Sequence, residues 1–422
     1  MTDNRQHNRI FYGWYIVAAS FGILFFNSGA RYAFGVMMKP IIAEFGWSRG
    51  AVSAVFFVNM AVFALALFIV GKLYDRFGPR WVILVSTLFI AAGFALTSFI
   101  NSLGQFFFSY GILAALGMAG TSVPMIATLT SKWFDKWRGL AISLAISGNS
   151  IGQFVLIPLF SSLVLNLGWR SSYLYIGTIM LVVNTALAWL VIKGDPAHLG
   201  LMPFGRDKAE AKKKDLTHEI GTGTNIISPD MNLKQAMGTS SFWLFLIVMA
   251  ICGSGDYFAT THLIPLATDY GIPPLVAGKM LGLYGLMSLA GILIAGPAAD
   301  FIGSKIPIIL TFTLRICLYM LILRYKSAMS FYVFALAFGF THLITAPLTP
   351  MLIGKLFGTA HLGAITGLIN AAHFLGGGFW AFMAGLIFDR TGNYQLTFML
   401  SALLALVAVV SMALVKEKRH KI

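Results

Sequence analysis

A few ionisable side chains stand inside stretches otherwise too apolar to hold them. In one run Asn27, Arg31, Gly35 and Lys39 recur at i, i+4, i+8 and i+12. On a helix they form a single stripe about 18 Å long at 1.5 Å per residue. A deep cation with a second one at the mouth is a means of drawing in an anion and holding it. Asp256, within Gly253-Ser-Gly-Asp256, is central in another run. Burial favours its neutral form and a nearby arginine its charged form, so it is placed to load and release a proton. His342 shares a face with Thr345 and Thr349, and His373 shares one with Thr366, Asn370 and Gly377. Each group also has a plainer reading: Lys39 as an interfacial anchor, Arg31 in a structural ion pair, Asp256 as the fixed counter-ion of Arg31, and the histidines as satisfied structural donors. Arg315, central in a further run, is assigned no substrate role.

The elements that must position these groups are membrane helices. Apolar residues make up 58% of the 422 and charged residues 11%, with a mean hydropathy of +0.81; soluble domains carry about 25% charged residues. Twelve apolar runs are present, near residues 13–38, 50–71, 81–100, 104–130, 139–166, 171–193, 241–268, 275–298, 306–324, 330–353, 361–387 and 394–415. A hydrocarbon core about 30 Å thick needs roughly 20 helical residues. The first run is too long for a signal peptide's apolar core and is interrupted by Arg31. The predicted fold class is therefore an all-α membrane protein of twelve transmembrane helices.

The net charge of +15 could point to nucleic acid, but its distribution points to a membrane. With the N-terminus placed in the cytoplasm, 21 of the 30 basic residues fall in inside loops and tails, six fall outside, and Arg31, Lys39 and Arg315 lie in or at the edge of the bilayer. This bias puts both termini in the cytoplasm, and the location expected is the cytoplasmic (inner) membrane. The partners expected are the lipid bilayer and a small solute, with no nucleic acid and a monomeric state. Cys252 and Cys317 both lie within runs and imply neither a disulfide framework nor a metal site. No cofactor is expected.

The chain repeats itself. Gly71-Lys-Leu-Tyr-Asp75-Arg76-Phe-Gly78-Pro-Arg80 is echoed by Gly296-Pro-Ala-Ala-Asp300-Phe-Ile-Gly303-Ser-Lys305. Aligning Gly139 with Gly363 also aligns Gly152 with Gly376 and sets Asn149 opposite His373. Gly148/Gly152 and Gly278/Gly282 carry the spacing of closely packed membrane helices. The division runs 1–193, a basic linker at 194–240, and 241–422. The doubled loop resembles the one between helices 2 and 3, and 8 and 9, of the major facilitator superfamily. That resemblance implies two pseudo-symmetric six-helix halves rocking about a mid-membrane site. It also implies that Asp75, Arg76, Arg80, Asp300 and Lys305 gate the cytoplasmic side.

Tyr32-Ala-Phe-Gly-Val-Met-Met-Lys39-Pro-Ile-Ile-Ala-Glu44-Phe-Gly-Trp47-Ser, Lys132-Trp-Phe and Gly168-Trp169-Arg170-Ser-Ser-Tyr resemble the monocarboxylate transporter branch and its bacterial oxalate/formate exchanger-like relatives. Lys39 matches that branch's helix 1 lysine, which assists binding and coupling. The branch's helix 8 aspartate and arginine correspond here to Ser288 and Ile292, and the exchangers' helix 11 lysine is absent. The resemblance thus implies a relocated cation, with Arg31 the replacement and Asp256 standing in for the acid. Arginine suits a carboxylate through paired hydrogen bonds. Asn27, Asn149, Tyr284, His342 and His373 complete the expected binding wall. The reading is a secondary carrier of a small organic anion, favouring proton-coupled monocarboxylate symport by alternating access. Exchange or efflux of an organic anion is the alternative, and a non-transporting sensor or enzyme a remote one. The chain has no nucleophile elbow, phosphate loop or clustered metal ligands.

Overall fold

The computed structural model describes residues 11–205, 231–358 and 361–416. Among the described residues ten helices are long and apolar enough to cross a membrane, and two of them are double. Arg49–Ser98 departs from helical geometry at Gly78 (φ 79°, ψ 165°), and Arg138–Leu190 does so at Gly168 (φ 78°, ψ 165°). Only glycine adopts this backbone cheaply, so each site is a sharp turn between two spans. Twelve spans result. We number them α1 (Tyr12–Phe45), α2 (49–77), α3 (79–98), α4 (Leu103–Trp133), α5 (138–167), α6 (169–190), α7 (Ser240–Asp269), α8 (Pro274–Ile302), α9 (Lys305–Arg324), α10 (Ala328–Phe357), α11 (Leu362–Thr391) and α12 (Gln395–Leu414). The face bearing Tyr12 and Leu414 is here the terminal face, and the opposite one the distal face.

The sequence repeat reappears as backbone geometry. Gly303 (φ 77°, ψ 165°) turns α8 into α9 as Gly78 turns α2 into α3, and Gly271 and Gly46 hold positive φ at the ends of α7 and α1. Within the first half, Gly148 and Gly152 of α5 bring that helix onto the backbone of α1 at Phe21 and Phe25. In the second half, Gly376 of α11 meets Ala250 of α7 in the same way. The halves meet along two seams, α2 on α11 and α5 on α8, where Gly278 and Gly282 lie against Ser161, Phe154 and Pro158. A side chain at any of these glycines would push helices apart.

Among the described spans α1 is interrupted at Ala33, and α4 and α10 are broken near mid-membrane. Between them, the segments Ala115–Gly120 and Val123–Trp133 leave α4 interrupted at Thr121 and Ser122. In α10 the break lies between His342 and Thr345. Backbone groups freed inside a bilayer need partners. Asn27 Nδ2 donates to the Thr121 carbonyl at 2.8 Å, and Arg315 Nη2 donates to the Thr341 carbonyl at 3.1 Å.

Candidate substrate and coupling site

The polar centre lies where α7, α9, α10 and α11 meet α1. Asp256 and Arg315 are each 1% exposed and joined at 2.6 Å. Arg315 is fully engaged: Nε donates to Thr341 Oγ1 at 3.0 Å, Nη1 to the Cys252 carbonyl at 3.2 Å, and Nη2 to Asp256 Oδ1 and the Thr341 carbonyl. Gly255 makes this approach possible, since an added Cβ would stand 3.2 Å from Arg315 Nη1 and 2.6 Å from the Tyr319 hydroxyl. Asp256 is the counter-ion of Arg315 and not, as its plainer reading had it, of Arg31. α9 sends its arginine inward because the interrupted α10 and Gly255 leave it acceptors and room.

Two histidines flank the same carboxylate. His342 Nδ1 lies 3.2 Å from Asp256 Oδ1, and its Nε2 lies 3.3 Å from the Tyr32 hydroxyl. His373 Nε2 lies 3.8 Å from Asp256 Oδ2, and it is the more exposed of the pair, 16% against 4%. Asn149 sits beside the Tyr32 hydroxyl. Tyr284 is fully buried, with its ring 5.0 Å from that of His342. The pseudo-equivalent Asn149 and His373 thus both border this centre. Cys252, Asp256 and His373 could bring three ligand atoms within 4.8 Å of one another. The guanidinium of Arg315 already neutralises the carboxylate, so a second cation there would meet repulsion.

Arg31 differs in kind from Arg315. Its guanidinium lies 4.1 Å above the Phe63 ring and 6.0 Å from that of Phe374, and those rings pair edge to face at 4.9 Å. Nη2 is buried without a hydrogen-bond partner. Among the described residues Arg31 has no ion pair. The single stripe expected on α1 is dispersed, because neighbouring helices claim its members separately. Asn27 turns to α4, Gly35 lies against the backbone of Thr260 and Thr261, and Lys39 Nζ pairs with Asp269 at 2.6 Å.

On the terminal face Asp75, Arg76 and Asp300 are exposed. Arg80 Nε donates to the Ile192 carbonyl at 3.2 Å, and Lys305 Nζ donates to the carbonyls of Ala413 and Val415 at 2.6 and 2.8 Å. Each basic residue ties the repeated loop to the end of the last helix of its own half. The other resemblance motifs also serve the scaffold. Trp169 and Arg170 both bond Glu44, at 2.6 and 2.7 Å, joining the distal ends of α6 and α1. Trp133 Nε1 donates to the Lys193 carbonyl at 3.2 Å. A distal group that sequence reasoning missed comprises Arg49, His262, Asp269, Asp389 and Tyr394. Their signal was slight: charges at helix ends read as ordinary loop charges.

A duplicated twelve-helix bundle with ionisable groups at mid-membrane is a transporter architecture, and the family model described as Major Facilitator Superfamily matches residues 20–381 and 244–422. The chain belongs to the major facilitator superfamily. It is 26% identical over 392 residues to monocarboxylate transporter 13 of Rattus norvegicus, covering 92% of this chain and 86% of that one. To the uncharacterized MFS-type transporter YcxA of Bacillus subtilis (strain 168) it is 25% identical over 422 residues, covering 97% and 98%. Its fold is similar to a bacterial homolog of the human lysosomal transporter Spinster in an inward-facing and occupied conformation (TM-score 0.74, 13% identity, 97% of each chain). The protein is a multi-pass membrane transporter and not an enzyme.

Proposed function

We propose that this transporter carries a small organic anion by alternating access, as proton-coupled monocarboxylate symport. Arg31 is its principal anion-binding cation. The observation that carries the reading is the contrast between two mid-membrane arginines. Arg315 spends its donors on protein acceptors, whereas Arg31 keeps a buried Nη2 without a partner. A buried guanidinium nitrogen without a partner, on a side chain that is otherwise only partly buried, favours an anion that can accept its hydrogen bond. The likeness to monocarboxylate transporters at about a quarter identity supports the same substrate class.

In this reading Tyr32, Asn149, Tyr284, His342 and His373 wall the site, and Asn27 holds α4 in place beside it. The coupling proton resides on the Asp256 cluster, with His342 and His373 as its immediate neighbours. Lys39 takes part when it leaves Asp269. The halves 1–193 and 241–422 rock about this centre, joined by 194–240, of which 206–230 lies outside the described residues. The terminal face is cytoplasmic, where Asp75, Arg76, Arg80, Asp300 and Lys305 regulate closure. The test is flux into proteoliposomes from a panel of small mono- and dicarboxylates, with and without an imposed pH gradient. Saturable, gradient-driven accumulation of monocarboxylates supports the proposal; accumulation only of uncharged solutes would overturn it.

A further inference from the structure

The distal face holds a second polar cluster, which meets the proposed substrate path only at Lys39. Asp269, at the end of α7, accepts from both terminal nitrogens of Arg49 at 2.6 and 2.8 Å and also pairs with Lys39. Asp389, near the end of α11, accepts from the backbone N–H groups of Arg49 and Gly50 at 2.9 and 2.8 Å. A carboxylate of the second half therefore caps the N-terminus of a helix in the first, where both the free amides and the helix dipole favour it. Arg49 also lies 3.6 Å above the Phe388 ring and donates to the Tyr394 hydroxyl at 3.0 Å. All of these bonds cross between halves.

Behind the cluster stands His262, 1% exposed. Its Nε2 is 2.8 Å from the Ala381 carbonyl oxygen, and its Nδ1 is 2.8 Å from the Tyr394 hydroxyl. A carbonyl can only accept, so Nε2 carries the proton. Nδ1 then accepts from the Tyr394 hydroxyl, whose oxygen accepts from Arg49. The relay closes with a neutral imidazole alone. A proton on Nδ1 would set a donor against the Tyr394 oxygen, strand the tyrosine hydrogen, and place a second positive charge beside Arg49. The charged and titratable groups facing His262 are Arg49 from α2, Asp389 from α11, Tyr394 at the start of α12 and Asp269 from its own helix, with Lys39 behind them. Both carboxylates are already held, by Arg49 and by the α2 amides.

We propose that Arg49, Asp269 and Asp389 form a lock that closes the distal face between the halves, and that protonation of His262 opens it. The inference does not depend on the identity of the substrate.

The test is the distance between spin labels on Asn101→Cys and Tyr325→Cys, both exposed in distal loops of opposite halves, with Cys317→Ser removing the exposed native thiol. The protein is held in lipid nanodiscs, where one pH bathes both faces. Lowering the pH from about 8 to about 5 should enlarge the wide-separation population on the order of fivefold or more, the scale of typical coupling between sites. His262→Gln should abolish that response, and Asp269→Asn should hold the wide state at every pH. Should His262→Gln fail to fold, Tyr394→Phe replaces it, breaking the relay without a titratable change, and is expected to give a wide, pH-insensitive population. A pH response that survives in His262→Gln or Tyr394→Phe, or an unchanged distance in Asp269→Asn, overturns the proposal.

Discussion

Arg315 Nη2 and Asp256 Oδ1 meet at 2.6 Å across 59 positions of sequence, in a layer where both side chains are 1% exposed. A buried pair of this kind contributes less to stability than its contact distance implies, since both ions have been taken out of water. Breaking it is another matter, because the survivor stays buried and charged.

Arg315→Met should accordingly lower stability by about 3–5 kcal/mol, read as the unfolding midpoint in detergent. Combining it with Asp256→Asn removes the stranded charge and should recover most of the loss. A double variant no more stable than Arg315→Met would show that the acceptor network around Thr341 and Cys252, and not the ion pair, holds the centre together.

Arg31→Ala should abolish saturable uptake, while Lys39→Ala should mainly raise the half-saturation concentration. Arg31 lies deep without an ion pair among the described residues and with a buried, unpartnered Nη2, whereas Lys39 is partly exposed beside Asp269, and exposed pairs contribute roughly 0–1 kcal/mol. Normal transport by Arg31→Ala would move the anion site to another cation or to a histidine.

A side chain that cannot bind or release a proton cannot carry the one that accompanies an anion. Asp256→Asn should lose pH-driven accumulation yet retain exchange of labelled for unlabelled substrate, measured in the same proteoliposomes. Intact pH-driven uptake would shift the proton to His342 or His373, and His373→Gln, at the more exposed of the two positions, is then the variant expected to uncouple.

The repeated turns carry a stability prediction. Gly78→Ala and Gly303→Ala each force a side chain into a positive-φ backbone with ψ at 165°, at a cost of about 1–3 kcal/mol. Neither glycine has a neighbour that an added Cβ would strike, so backbone strain should account for the whole effect and the two variants should lose similar stability.

Asp75→Asn addresses gating. The exposed carboxylate lies in the last turn of α2, at the terminal face. Slower transport with ligand affinity in detergent kept within a few fold is expected, and lost binding by a folded variant would refute the gating assignment.

Much of the bundle was legible because hydropathy and the repeat act over long stretches. Gly78 and Gly303 announced their turns, and the paired glycines of α5 and α8 announced close packing. What the sequence could not supply was which helix answers which charge. Arg315 and Asp256 were both visible as ions at mid-membrane, and their opposite signs were the available signal. That signal does not fix the pairing, since only the broken α10 and Gly255 show that an arginine on α9 can turn inward. Asp269 and Asp389 lay at helix ends, where a carboxylate reads as solvated. Their partner, Arg49, belongs to the other half, and contacts between halves leave no trace in local spacing.

The cap that Asp389 places on α2 makes the molecule its own reporter. Separating the halves at the distal face must hand the Arg49 and Gly50 amides from a carboxylate to water, so their hydrogen-exchange rates become a label-free count of how often that face stands open. Because these two amides begin a helix whose later turns stay bonded to one another, their exchange would separate rigid-body rocking from fraying, in which the amides of Ala51 and Val52 would accelerate with them.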